Sequence, residues 1–349
     1  MSRGDRITTA AFNSLQATVN LVMGANATGY GQFLNSTPAQ TNTVITSTQW
    51  NALRSDMSRA YLHQTNTASQ DTLAITNLNP PNLQVIGSST AISDAILTQY
   101  SNFSSFINAN KDQHNVNQLT PNVAITSTQR TANWGGAVDV ISHTVTLTFN
   151  GYTQNGGAFT VTPNDHARYF FNAGGFIQLS ANFAPTSAPA GTKNAMWQNL
   201  LAQFSQIYFG ASNTQALGGF NTNVASSTEG GTGPTADSTT PGVASATGFF
   251  NLVTGATTHT QIFRTTGPTS PNNKYVENDY IIKVRRPTLS TLEFVITFRD
   301  DDAGDQTGLG APIDEEVTGT LTSIVRCTRP SGTAPNVDVP APTGVATAL

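Results

Sequence analysis

At 349 residues the chain can bury one large core or two modest ones, and 16 basic against 20 acidic residues leave a formal charge of −4. So few cations cannot neutralise the run of phosphates on which nucleic-acid affinity depends, which argues against a nucleic-acid partner. Charged residues make up 10% of the chain against roughly 25% in an average soluble domain, yet 38% hydrophobic content with little net charge favours folding over disorder.

The opening residues, Met1-Ser2-Arg3-Gly4-Asp5, lack the apolar run of a signal peptide, and no stretch approaches the ~18 apolar residues of a membrane span. The expectation is a chain used in soluble form or within a soluble assembly. Thr-rich composition punctuated by Asn and Gly suits strands joined by turns, because β-branched residues fit a pleated surface and Gly and Asn tolerate positive φ.

The first internal signal is a repeat: Ile7-Thr8-Thr9-Ala10-Ala11-Phe12-Asn13-Ser14-Leu15 recurs as Ile45-Thr46-Ser47-Thr48-Gln49-Trp50-Asn51-Ala52-Leu53. Each copy predicts a helix start. Thr8 and Thr46 are N-cap candidates, Thr46 with Gln49 makes a capping box, and Ile7 with Phe12 and Ile45 with Trp50 have the spacing of a hydrophobic staple. Phe12, Leu15, Val19 and Val22 form one apolar stripe, and Trp50, Leu53, Met57 and Tyr61 form a matching one. Helices this short need a surface to cover, so they pair with each other or oligomerise. Phe12, Leu15, Val19, Trp50, Leu53, Met57 and Tyr61 are accordingly the candidate interface residues.

Gly24, Gly29, Gly31 and Pro38 mark a long loop between the two helices, and residues 79–81 break the chain again. A third helix is predicted over 89–110, with Ile92, Ile96, Tyr100, Phe103 and Phe106 on one stripe. From about residue 123 the period changes to two. Strict alternation in His143-Thr144-Val145-Thr146-Leu147-Thr148-Phe149, and again near 177–179, 280–284 and 292–298, predicts sheet strands. One helix, 192–208, carries Met196, Trp197, Leu200, Leu201, Phe204 and Ile207 on a broad apolar face and should pack on the sheet.

The layout expected is therefore α+β: a repeated-helix attachment region over 1–70, a linker with a third helix over 71–122, and a mainly antiparallel, sandwich-like β domain over 123–329. The β domain carries its one helix and a Gly/Ser/Thr/Asn-rich loop over 210–248, and a Pro/Ala/Thr-rich tail fills 330–349.

Motifs for chemistry are sparse. Closely spaced carboxylates at Asp300, Asp302 and Asp305 suggest calcium, but they lack the ligand spacing and terminal Glu of an EF-hand loop, and a solvated turn accounts for them. The same run with Asp314, Glu315 and Glu316 could supply a glycosidase pair, although adjacent acids usually mark exposed loops. His63, His114, His143, His166 and His259 are widely separated and show no metal-ligand spacing. The stretch Glu229-Gly230-Gly231-Thr232-Gly233-Pro234 lacks the ending of a phosphate loop, and no nucleophile elbow occurs. Cys327, the single cysteine, sits in an apolar strand and reads as packing. No enzyme activity, cofactor or metal is expected.

One feature points to a family. Asp165-His166-Ala167-Arg168-Tyr169-Phe170-Phe171-Asn172-Ala173-Gly174-Gly175, followed by Thr192-Lys193-Asn194-Ala195-Met196-Trp197, resembles virion structural proteins of tailed bacteriophages, where such a stretch precedes a strand and a Thr-Lys-Asn helix. The opening Gly4-Asp5-Arg6-Ile7-Thr8 and residues 45–65 are similar to the same group, especially proteins of cyanobacterial myoviruses. The resemblance spans roughly residues 3–65 and 130–328 and brings no catalytic residues with it.

It implies a structural subunit of the virion, tail-associated in baseplate, neck or fibre, forming a trimer or hexamer with other virion proteins as partners. A host-surface adhesin or glycan-degrading tail protein, and a head decoration protein, stand as alternatives. Independently of any family, Arg168 suits a bond to a carbonyl or acid, Tyr169 to Phe171 a core, and Gly174-Gly175 a tight turn.

Overall fold

The helices form where the sequence supplies both a cap and a stripe. The computed structural model describes residues 8–41, 43–65, 86–87, 92–136, 139–189, 191–202, 206–217, 245–266, 275, 277–301, 315–331 and 337–349. Helix α1 (Thr9–Met23) starts where the Ala11 N–H donates to the Thr8 hydroxyl at 3.2 Å. Helix α2 (Ser47–Thr65) starts at a reciprocal box: the Gln49 N–H donates to the Thr46 hydroxyl (3.2 Å) and the Thr46 N–H to the Gln49 side-chain oxygen (2.9 Å). Helix α3 (Asp94–Ala109) is capped by Ser93 and carries Asp94 in its first turn, at the positive end of the helix dipole.

The stripes meet through aromatic edges. Phe12 lies 5.2 Å from Trp50, Trp50 lies 5.0 Å from Tyr100, and Tyr61 lies 5.3 Å from Phe103. The three helices thus bury their apolar faces against one another. Because Thr46 satisfies a helix-end donor that no other described side chain reaches, Thr46→Ala should lower stability by about 1 kcal/mol while Thr46→Ser stays near neutral, read from urea unfolding midpoints.

Beyond the helices the chain builds β1 (Leu119–Arg130), β2 (Asp139–Thr148), and the small hairpin β3 (Tyr152–Gln154) and β4 (Phe159–Val161). Helix α4 (Pro163–Asn172), β5 (Phe176–Pro185) and α5 (Lys193–Ala202) follow, then β6 (Gln206–Phe209), β7 (Thr214–Leu217), β8 (Thr260–Thr266), β9 (Asp279–Thr288), β10 (Thr291–Asp300), β11 (Gly319–Pro330) and β12 (Thr343–Ala346). Ten of these strands form two five-stranded antiparallel sheets, in the orders β1-β11-β5-β6-β7 and β12-β2-β10-β9-β8.

The alternation read in the sequence sets which face is buried: Leu292, Phe294, Ile296 and Phe298 of β10, and Ile141, His143, Val145 and Leu147 of β2, point inward. The layers meet where Phe209 of β6 lies 5.4 Å from Phe294 of β10. At the β1/β12 edge a Cβ on Gly344 would stand 2.3 Å from the Ile125 side chain, so glycine is what lets the two edges close. The fold is α+β with a sheet-rich domain.

Four expectations need correcting. Residues 337–349 are not a tail: Val337 and Val339 are fully buried and β12 pairs with β2 from Thr343↔Thr148 to Ala346↔Val145. Pro340 and Pro342 precede that edge strand, where a missing N–H costs no ladder bond. The helix drawn over 192–208 closes at Ala202, and Ile207 instead pairs with Leu179 as part of β6, the sheet partner overriding the helical period. Among the described residues two helices, not one, accompany the sandwich, since residues 163–172 form α4. Finally, the predicted loop 210–248 begins as the β6–β7 hairpin, while its residues 218–244, Phe220 and the Gly-rich stretch among them, lie outside the described residues.

Candidate functional site

Two clusters of buried polar groups lie at different places on the sandwich, one around α4 and one at the start of α5. The first is α4. Thr162 caps it, Pro163 fits the first helical position, and the Arg168 guanidinium bonds Asp165 at 2.7 Å and lies over the Tyr169 ring. Phe170 and Phe171 face the sandwich core: Phe171 stacks on Phe249 with ring centres 4.4 Å apart, and Phe149 at the end of β2 lies 5.6 Å from Phe170. The Arg286 guanidinium covers the far side of Phe249 at 4.1 Å. Gly174 turns the chain out of the helix at φ 86°, where a Cβ would stand 2.4 Å from the His114 ring.

The other side of α4 receives the helical unit. His63, at the end of α2, donates from Nε2 to the Ala173 carbonyl (2.9 Å), and His114 donates from Nε2 to the Asn172 carbonyl (2.8 Å). Both carbonyls belong to the end of α4, where no intrahelical donor remains. The two imidazoles lie 5.4 Å apart, with the Tyr30 ring against both. Burial pushes His63 down to about 3, with His114 beside it adding to the shift, and burial pushes His114 down to about 4.

Asn172 extends the junction by donating to the Ala27 and Gly29 carbonyls. At the start of α4, His166 accepts the Gly151 N–H at Nδ1 and so donates from Nε2 to Pro340 O, 2.9 Å away. Gln32, Gln154 and Asp338 exchange further bonds, so the loop after α1, the β3–β4 hairpin and the C-terminal segment converge on α4.

The second cluster sits at the start of α5. Lys193 and Asp300 have no exposed side-chain surface, and Lys193 Nζ lies 2.7 Å from Asp300 Oδ2 and donates to Gly135 O at 2.7 Å. The Lys193 N–H donates to Glu315, the Gly135 N–H to Asp139, and Asn194 ties to Ser187 and Thr318. Trp197 packs between Trp134 (4.7 Å) and Phe298 (6.1 Å). Asp300 is therefore no solvated turn residue: the acidic run begins inside the sandwich, opposite a lysine 107 positions earlier.

Of the other candidates, Asp301 pairs with Arg299, Glu316 accepts from Asn133, and Asp302, Asp305 and Asp314 lie outside the described residues. Among the described residues no three His, Cys, Asp or Glu side chains group as a metal site, and no helix is long and apolar enough to cross a membrane. Cys327 is buried, and its surroundings push the thiol up to about 12, in keeping with a packing role.

The seven candidate interface residues are 0–6% exposed within the single chain. The stripes cover each other, the first of the two options the sequence left open, so those side chains offer no surface to another subunit.

What the sequence missed is the pairing of His63 with His114 and of Lys193 with Asp300. Neither has a spacing signal, because each is assembled by tertiary contacts between distant segments. A scan of family models, a search of curated proteins and a search of solved structures each found no match to this chain.

Proposed function

We propose that the chain is a structural subunit of a tailed-phage virion, tail-associated in baseplate, neck or fibre, and that it works as a rigid building block assembled with copies of itself and other virion proteins. The observation that carries this reading is where the resembling residues lie. Asp165 to Gly175 clamp the helical unit to the sandwich, and Lys193 to Trp197 plug the sandwich beside the end of β10. Residues that resemble virion proteins thus lie where two folded units are held in one body, which suits a part that transmits load between neighbours. A surface of few charges also lowers the desolvation cost of large contacts, and obligate interfaces bury upward of ~2,000 Å².

The test is assembly. The purified chain should form a closed symmetric oligomer, trimer or hexamer, by mass photometry, and should be found by peptide mass spectrometry and by imaging on the tails of particles of the phage that encodes it. A chain that stays monomeric at micromolar concentration and is absent from those particles overturns the reading. Density on the head instead would make it a decoration protein, and envelope binding or sugar cleavage would make it an adhesin or glycan-degrading protein; either result also overturns the tail assignment.

A further inference from the structure

Lys193 and Asp300 are placed for more than an ion pair. The amine nitrogen lies 2.7 Å from one carboxyl oxygen, so the carboxyl carbon, one bond behind it, is at most about 4 Å away, a small movement from the ~3–3.5 Å of a near-attack geometry. Both side chains are wholly buried, Lys193 Nζ lies 5.2 Å from the Tyr275 ring centre, and Trp197, on the same helix as Lys193, packs between Trp134 and Phe298. Gly135, at φ 73°, brings its carbonyl to the amine. A Cβ there would stand 2.6 Å from Asp300 Oδ2, so the close approach depends on glycine. A second carboxyl adjoins the first, because Asp139 is the direct cross-strand partner of Asp300 in the β2–β10 register and is held by the Gly135 N–H.

We propose that Lys193 and Asp300 condense into an intramolecular amide crosslink, with Asp139 carrying the proton. In the first step the ammonium passes a proton to the Asp300 carboxylate across their contact. The neutral amine attacks Cγ of the carboxylic acid and forms the N–C bond. Asp139 takes the proton that nitrogen loses and delivers it to the departing hydroxyl, the C–O bond breaks, and one water leaves. Nothing is oxidised or reduced, and no co-reactant is needed. Holding the two groups together supplies the effective concentration that free amine and carboxylate lack in water, and excluding solvent protects the amide once formed. The bond would fasten α5 to the last residue of β10, and it stands apart from the virion reading.

Intact mass under denaturing conditions is the test, since it reads the full chain whether or not a variant folds. The wild-type protein should weigh one water less than its sequence, after allowing for loss of Met1. Trypsin should fail to cleave after Lys193 and should yield the peptide containing Lys193 joined to the one that begins at Asp300. Asp300→Ala should restore the full mass and cleavage. Asp139→Asn, which keeps an acceptor for the Gly135 N–H but loses the titratable proton, should leave most of the protein uncrosslinked while retaining its circular dichroism spectrum. A wild-type chain at full sequence mass and cleaved after Lys193 overturns the proposal, as does a lost water without the joined peptides. A link that forms fully in Asp139→Asn removes Asp139 from the mechanism.

Discussion

Asp56→Ala should lower the unfolding free energy by about 3–5 kcal/mol, the cost of removing one partner from a buried charge cluster. The Asp56 side chain is fully buried on α2 and accepts bonds from the Asn35 N–H (3.0 Å), the Ser36 N–H (2.8 Å), the Ser36 hydroxyl (2.7 Å) and the Arg59 guanidinium (3.2 Å). Arg59, 8% exposed, also donates to the Phe33 carbonyl.

Truncation strands all of these donors at once. Two backbone N–H groups lose their acceptor, and the buried guanidinium loses the Asp56 carboxylate. The loop they hold is the one that reaches the α4 junction, through Gly31 against the Tyr169 ring and Gln32 against Asp338. Loss of Asp56 should therefore also speed amide hydrogen exchange over residues 30–36 ahead of the sandwich. Asp56→Asn keeps one acceptor and should cost less. A loss below about 1 kcal/mol in Asp56→Ala would show that the loop is held by its other contacts alone.

How much of this was legible depends on the range of the signal. Caps are local, so the Thr8 start and the Thr46–Gln49 box could be read directly, as could the stripes that became the three-helix core. Alternation gave the strands β2, β9 and β10 for the same reason.

Helix α4 was also locally encoded. Thr162-Pro163-Asn164-Asp165 is a cap, a first-turn proline and a first-turn acid, but the aromatic run after it reads equally well as a strand. The C-terminal strand was hidden by its prolines, whose meaning changes once they are seen to precede an edge strand. Asp300, Lys193, His63 and His114 lay beyond reach altogether. Each sits in an ordinary local pattern, and its chemistry arises from a partner dozens of residues away that only the assembled sheets and helices bring near.

Those histidines set the second large expectation, which is instability in acid. The folded chain holds His63 near 3, His114 near 4 and His143 near 4, in each case chiefly because burial disfavours the imidazolium. His143 adds to this with no hydrogen-bond partner for either ring nitrogen among the described residues. An unfolded histidine titrates near 6.5, so between that value and the depressed ones the unfolded chain binds more protons than the folded one. The stabilising difference is therefore fully present above about pH 6.5 and is lost progressively as pH falls toward 4 and below.

At about 1.4 kcal/mol per pKa unit, each histidine forfeits a few kcal/mol by the time its folded value is reached, and three together rival the ~5–15 kcal/mol total stability of a typical domain. Denaturant unfolding at about pH 7 and about pH 4.5 should show a large loss. The double variant His63→Gln, His114→Gln offers an amide N–H to the same two α4 carbonyls but cannot titrate. It should begin less stable at neutral pH, because glutamine fills the aromatic pocket poorly, and should lose distinctly less on acidification. If the wild type and the double variant lose the same stability over that interval, the protons are taken up elsewhere, and the clamp on α4 is a packing contact with no share in the acid response.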